Sequence, residues 1–245
     1  GERSDEPGAD PASRYVGSQK IYELTELLFE EYRNLDLNLR YAPRFARAEK
    51  ASEALELLAE RNFDLLVTTP RVRDLDTDAF VQRVRELRPG LPICLLAAHA
   101  WDLPRLEELR RSGDVDWLFL WQGSVSALLA MIKQVEDRHN ADSDILDGGV
   151  QAIILVEDEV RDYSAILPHL YREVTTQTGH LMAEGLNLSH RLLRIRARPK
   201  ILLAQSYEEA MALYERYAGN LLGIITDGGF PRSGRMEDRA GVALA

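Results

Sequence analysis

The chain has 245 residues, 45% hydrophobic and 29% charged, which is the make-up of an ordinary globular protein with one large or two small domains. Thirty basic against forty acidic side chains leave a formal charge of −10, which excludes a nucleic-acid-binding face spread over the whole chain. The single cysteine excludes a disulfide framework or a cysteine-rich zinc site, and no apolar run reaches the roughly 18–20 residues of a membrane span.

Residues 1–16 are polar and rich in Gly, Pro and Asp; they lack the form of a signal peptide and are expected to be a disordered tail on a cytoplasmic protein. From Gln19, Ile21, Leu24, Leu27, Leu28 and Tyr32 recur at three- and four-residue spacing, predicting a helix. Residues 37–46 read as a short strand and 51–61 as an amphipathic helix with Ala54, Leu57 and Leu58 inward. The compact apolar run 63–68 reads as a buried strand. A helix over 79–87 is stopped by Pro89-Gly90, and 91–98 is a second buried strand. Cys94 falls inside it, as a structural thiol rather than a nucleophile. A charged helix over 103–111, a strand over 117–121 and a helix opened by Ser124 as N-cap follow. Residues 140–149, with three aspartates and paired glycines, are the best linker in the chain. Beyond it come an aliphatic strand over 151–156 and a long helical region over 160–198, broken near Gly179 or Gly185. A strand over 200–205, a helix capped by Ser206 and a strand over 221–226 complete the series, and 227–245 is a polar loop that could start a helix.

Apolar strands alternating with amphipathic helices predict an α/β fold with parallel sheets and right-handed crossovers. The linker divides them into two doubly wound units, 17–139 and 150–245. Ala51-Ser52-Glu53-Ala54-Leu55 and Ser206-Tyr207-Glu208-Glu209-Ala210 form a weak internal repeat that favours two domains of one kind.

The chemistry-bearing residues gather in the second unit. Glu157 and Asp158 follow its first strand and Asp227 follows its third, and in an open parallel sheet these carboxyl ends line one crevice. Converging carboxylates repel each other, and a hard divalent cation such as Mg²⁺ resolves the repulsion with oxygen ligands. Glu157, Asp158 and Asp227 are therefore the expected metal ligands. Such a crevice suits phosphoryl transfer, with Asp227 as the attacking group.

Ile153-Ile154-Leu155-Val156-Glu157-Asp158-Glu159 resembles the opening strand of a response-regulator receiver domain. Leu222-Gly223-Ile224-Ile225-Thr226-Asp227, with Pro231 four residues on, resembles its phosphoacceptor strand. The resemblance implies two flavodoxin-like, receiver-type domains in two-component signalling. It implies Asp227 as phosphoacceptor, Mg²⁺ on Glu157, Asp158 and Asp227, and a histidine kinase or small phosphodonor as partner. It implies no enzymatic turnover beyond phosphoryl uptake at Asp227, and neither nucleic acid nor membrane as partner. The whole chain is similar, in family impression rather than in any motif, to the regulatory region ahead of a phosphoenolpyruvate/pyruvate-binding phosphotransferase module. Two departures stand out. Asp158 and Lys200 are 200 − 158 = 42 residues apart, where the family has one short helix. The chain also ends at Ala245, before the strands that carry the family's hydroxyl and lysine, so the second domain is expected to be incomplete.

The first unit is similar in layout but not in chemistry. Thr69 stands where the phosphoacceptor would be, Ala97 where the hydroxyl would be, and Leu120 where the lysine would be, which makes it a pseudo-receiver used for contact. Its own first strand is not visible in the sequence. Asp74, Asp76 and Asp78 lack the Gly and closing Glu of a calcium loop and read as a solvated turn.

In the inserted region 161–198, Leu167, Leu170, Val174, Leu181, Leu188, Leu192 and Ile195 form an apolar stripe, with Arg191, Arg194, Arg196 and Arg198 as a basic end. The readings are a helix packed on its own domain with a solvated basic face, or a homodimer or partner helix. His190 sits in a faint likeness of a phosphohistidine box, but Arg191 replaces its acid and no ATP-binding motif is present. The alternatives to signalling are a phosphorylation-independent interaction and dimerisation scaffold, and a metabolite-binding flavodoxin-like domain.

Overall fold

A computed structural model describes residues 14–17, 44–183 and 198–244. The expected helix from Gln19, residues 37–43 of the strand expected over 37–46, and the stretch with Leu188, His190, Arg191, Leu192, Arg194, Ile195 and Arg196 lie outside the described residues.

A five-stranded sheet is built from β1 (Arg14–Gly17), β2 (Arg44–Arg47), β3 (Leu65–Thr68), β4 (Ile93–Ala97) and β5 (Trp117–Leu120), in the order β2-β1-β3-β4-β5. The pairs β1–β2, β1–β3 and β3–β4 are parallel. This is the flavodoxin-like order, as expected. The strand expected to be missing is present: Arg14–Gly17 lies between β2 and β3, with Tyr15 opposite both Phe45 and Leu65. Residues 14–16, expected within a disordered tail, therefore belong to a strand, and residues 1–13 of that expected tail lie outside the described residues. A central parallel strand normally reads as an aliphatic run; this one offers only Tyr15 and Val16 before Gly17 closes it, so its hydropathy gave no signal.

The first unit comprises residues 1–96 and 105–117. Helix α1 (Ala51–Glu60) buries Ala51, Ala54 and Leu58, one face at helical spacing. Its N-terminus is capped from a distance, because Asp74 accepts hydrogen bonds from the Ala51 N–H (2.8 Å), the Ser52 N–H (3.3 Å) and the Ser52 hydroxyl (2.6 Å). Asp74 reaches them from the left-handed region, at φ +69°. It is thus a helix cap within the turn that was read as merely solvated. Helix α2 (Thr77–Leu87) buries Phe80, Val81 and Val84. Its Arg85 donates to the carbonyls of Leu91 (2.7 Å) and Asp114 (2.9 Å) and to the Asp116 carboxylate (2.6 Å). Cys94 is fully buried, and burial, with Asp116 adding to it, pushes its thiol pKa well up. Helix α3 (Leu103–Arg111) begins within the other unit.

The second unit comprises residues 97–104 and 118–245. It takes in helix α4 (Val125–His139), the three-stranded parallel sheet β6 (Ala152–Val156), β7 (Lys200–Ala204) and β8 (Leu221–Thr226), ordered β7-β6-β8, and helix α5 (Val160–Ala183). Helix α6 (Tyr207–Tyr217), an antiparallel hairpin of β9 (Phe230–Arg232) and β10 (Arg235–Glu237), and the short helix α7 (Ala240–Leu244) complete it. The order repeats the 2-1-3 half of the larger sheet. Ser124 and Ser206 cap α4 and α6 as expected, accepting from the Ser126 and Glu209 N–H groups, each at 3.2 Å. The hairpin replaces the expected polar loop and α7 is the helix that could start there; Phe230 and Ala240 are fully buried, so this end of the chain contributes to the core.

Three sequence expectations are corrected here. The boundary between units does not fall at a linker over 140–149, nor does α4 belong with residues 17–116. Asp142–Asp147 form a π-helical turn whose Ile145 is fully buried among Ile154, Leu202 and Leu213. The polar residues around Ile145 hid a turn held by one apolar anchor. Second, the apolar stripe of the inserted region is partly covered inside its own unit. Tyr163, Leu167 and Tyr171 are buried, and the Tyr163 hydroxyl donates to the Leu118 carbonyl (2.5 Å) while Ser164 Oγ accepts from the Leu120 N–H (3.0 Å). The helix also runs through Gly179 to Ala183, and the alternative break near Gly185 lies outside the described residues. Third, Arg198 is not on a solvated basic face. It is buried and donates to both oxygens of the fully buried Asp137, at 2.6 and 2.9 Å.

Asp137 also accepts from the Tyr171 hydroxyl (3.0 Å) and the Ile201 N–H (3.0 Å), and Lys200 Nζ lies 3.5 Å from it and 2.5 Å from Asp144. Gln134, one helical turn earlier, is oriented so that its oxygen accepts from the Leu203 N–H (3.1 Å) and its nitrogen donates to the Ile201 carbonyl (3.3 Å). Two side chains of α4 thus satisfy the outer edge of β7, the role a neighbouring strand would play. The opposite edge, β8, is largely exposed, including Leu222 and Ile225.

Candidate functional site

The strand register assembles the acidic crevice. In the second sheet Val156 of β6 stands opposite Thr226 of β8, so the residues that follow, Glu157 and Asp227, leave adjacent strands at the same end. Asp158 comes next on the β6 side, half-buried, and Asp227 is exposed. Glu157 is buried at 5% exposure, and one of its oxygens accepts from the Glu159 N–H at 3.0 Å. Burial raises its carboxyl pKa, and the charges of Asp227, Asp162 and Asp158 raise it further against that hydrogen bond. The sequence-predicted acids therefore share one electrostatic field. Asp162, on the first turn of α5, was missed; its signal was an acid four residues beyond Asp158, which one helical turn carries back over the strand end.

Among the described residues no group of three or more His, Cys, Asp or Glu side chains is gathered closely enough to hold a metal ion. Glu157, Asp158 and Asp227 are neighbours in field rather than a preformed coordination shell. The donor chemistry nevertheless suits Mg²⁺, which keeps several of its waters and takes only one or two protein carboxylates.

Asp227 is held from behind. Its carbonyl accepts from the Thr226 hydroxyl at 2.9 Å. Gly241 of α7 lies against the same carbonyl so closely that a Cβ there would collide with it, and the Gly241 N–H donates to the Gly228 carbonyl at 3.3 Å. The hairpin is fastened to α6, with the Glu208 carboxylate accepting from the Ser233 N–H (2.8 Å) and the Arg232 guanidinium over the Tyr207 ring (4.2 Å).

At the equivalent end of the first sheet, among the described residues, no acid directly follows β2, β3, β4 or β5. Thr68 closes β3 and is buried, Thr69 follows it, and Ala97 closes β4 as a fully buried residue. Leu120 closes β5, also buried. None of these side chains accepts a phosphoryl group without a base, and none is a cation ligand of the carboxylate type.

No family model matches the chain, and no curated protein matches it. Among solved structures it is similar to an adenylate cyclase from Rhodopirellula baltica (19% identity, 56% of this chain and 98% of that one, TM-score 0.41). It is also similar to a CheY-like response regulator receiver domain protein from Methanospirillum hungatei (15%, 53% and 98%, TM-score 0.42). A third is the response regulator TrrA from Thermotoga maritima in complex with Mg²⁺–BeF (19%, 51% and 98%, TM-score 0.39). These likenesses stay at the level of the fold, and the flavodoxin-like assignment stands on the strand order of the sheets themselves. Among the described residues no helix is long and apolar enough to cross a membrane.

Proposed function

We propose that this chain is the receiver region of a two-component-type signalling protein, with a phosphoacceptor at Asp227 in the second unit and a first unit that serves as a contact domain. The observation that carries the reading is the β6–β8 register, which brings Glu157 and Asp227 to one strand end beside Asp158. The raised pKa of Glu157 supports it, because a crevice crowded with carboxylates gains from a bound cation.

In this reading an Asp227 carboxylate oxygen attacks the phosphorus of a phosphohistidine or acyl phosphate. The new O–P bond forms as the P–N or P–O bond to the donor breaks, and the departing group keeps the electron pair. Glu157, Asp158 and Asp227 would hold Mg²⁺, which when bound neutralises the phosphoryl oxygens. Glu157, buried and hydrogen-bonded, keeps its position while the exposed Asp227 meets the donor. Gly241 and Thr226 fix the backbone from which the Asp227 carboxylate projects.

The test is intact mass after treatment with acetyl phosphate and Mg²⁺. The expected result is a gain of one phosphoryl group that is lost without Mg²⁺ and absent in Asp227→Asn. No gain in the wild-type chain, or an equal gain in Asp227→Asn, overturns the reading and leaves a phosphorylation-independent scaffold.

A further inference from the structure

At the first sheet the charge of the crevice is inverted. In the order β2-β1-β3-β4-β5 the direction of winding reverses between β1 and β3, and ligands of open α/β sheets lie outside the carboxyl ends of the strands at that point. A cavity of about 40 Å³ is found there. Its lining includes Lys50 and Arg71, the threonines Thr68 and Thr69 at the end of β3, and Glu49. The one carboxylate is already engaged: Glu49 pairs with Arg47 and lies 3.8 Å from the Arg73 guanidinium. Lys50 and Arg71 form no ion pair among the described residues. Beside apolar side chains such as Leu66, Val67, Val72 and Phe80, the lining therefore offers two cations and the Thr69 hydroxyl, the Thr68 hydroxyl already donating to the Thr69 carbonyl (3.4 Å), around a space with room for a few water-sized groups, at roughly 10–15 Å³ each.

We propose that this cavity binds a small oxyanion of the phosphate class. Such an anion takes charge-assisted hydrogen bonds from Lys50 and Arg71 and a neutral one from the Thr69 hydroxyl. The size admits a single phosphate group and is too small for a nucleotide. The site does not depend on phosphoryl uptake at Asp227. It makes the first unit an anion sensor in place of an aspartyl phosphoacceptor, and the threonine that ended the phosphoacceptor chemistry becomes a ligand.

The experiment is calorimetric titration of the whole chain with inorganic phosphate at low ionic strength. Lys50 and Arg71 are exposed, so Lys50→Ala/Arg71→Ala retains the fold, which equal thermal unfolding verifies. The expected result is binding to the wild-type chain, at least tenfold weaker in the double variant and several-fold weaker in Thr69→Val. Asp227→Asn leaves binding unchanged. Absence of phosphate binding to the wild-type chain, or equal binding by the double variant, overturns the proposal, and loss of binding in Asp227→Asn would move the site to the second unit and overturn it equally.

Discussion

Asp137 carries more of the second unit than any other charged residue described. Burial pushes its carboxyl pKa up, yet Arg198, Lys200 and the Ile201 N–H hold it below the ordinary carboxylate range, so it stays ionised among its donors. Burial also pushes the Tyr171 hydroxyl well above its ordinary pKa, with the Asp137 charge adding to it, so the phenol remains a donor. Removing the negative charge alone strands the buried Arg198 guanidinium, while Lys200 keeps its ion pair with Asp144. Asp137→Asn is therefore expected to lower unfolding free energy by about 3–5 kcal/mol, measured by denaturant titration; a loss below 1 kcal/mol would show that the guanidinium finds water instead. Glu157 behaves oppositely. Its folded pKa lies above its unfolded one, so between the two values the fold binds more protons than the unfolded chain, and stability falls as pH rises through that window. Glu157→Gln removes the penalty and keeps an acceptor for the Glu159 N–H. Its Tm should exceed that of the wild-type chain at pH 7 without Mg²⁺ and converge with it below about pH 4, where both are neutral. A lower Tm at pH 7 would mean that the charge is stabilised rather than crowded.

At the scale of elements, the turn between α4 and β6 shows how little sequence an anchored segment needs. Asp142, Ser143, Asp144 and Asp147 read as solvent, and most of them are exposed. Each of the first three nonetheless has a structural partner. Arg216 and Tyr217 donate to Asp142 at 2.5–2.7 Å, holding its pKa at about 2; Ser143 donates to the Asn140 carbonyl; Lys200 pairs with Asp144. Ile145 closes the turn onto the core. Ile145→Ala is expected to cost about 2–5 kcal/mol, the loss for an aliphatic side chain cut from a packed site, and to open 140–149 to proteolysis that the wild-type chain resists. Cleavage there in the wild-type chain would restore the linker reading. Helix α5 belongs to the same lesson: Leu167 of its apolar stripe is buried in the unit's own interior with Tyr163 and Tyr171, while Leu170 and Val174 are half-buried.

At the scale of the whole molecule, the periodicities along the chain were sufficient for the class of fold and insufficient for its borders. Apolar runs within 65–68, 93–97, 152–156 and 200–204 are strands buried almost throughout, because a parallel sheet covered on both faces places three to five consecutive apolar residues out of water. Serines ahead of α4 and α6 are caps because their hydroxyls accept from first-turn N–H groups that have no partner within the helix. The acids Glu157, Asp158 and Asp227 could be placed at strand ends from sequence, since each stands within two residues of the end of an apolar run. Long-range pairing was not legible. Arg14–Gly17 is a central strand only because β2 and β3 flank it, Asp74 is a cap only because the chain returns to α1, and Arg198 is buried only because Asp137 awaits it 61 residues away. The sequence by itself determined what depends on local periodicity and on which side chains tolerate water: the α/β class, the strands with aliphatic runs, the acidic strand ends. Only the tertiary structure decided strand order, the partition into units and the partners of buried charges, because these depend on which distant groups satisfy one another, and spacing along a chain does not encode that.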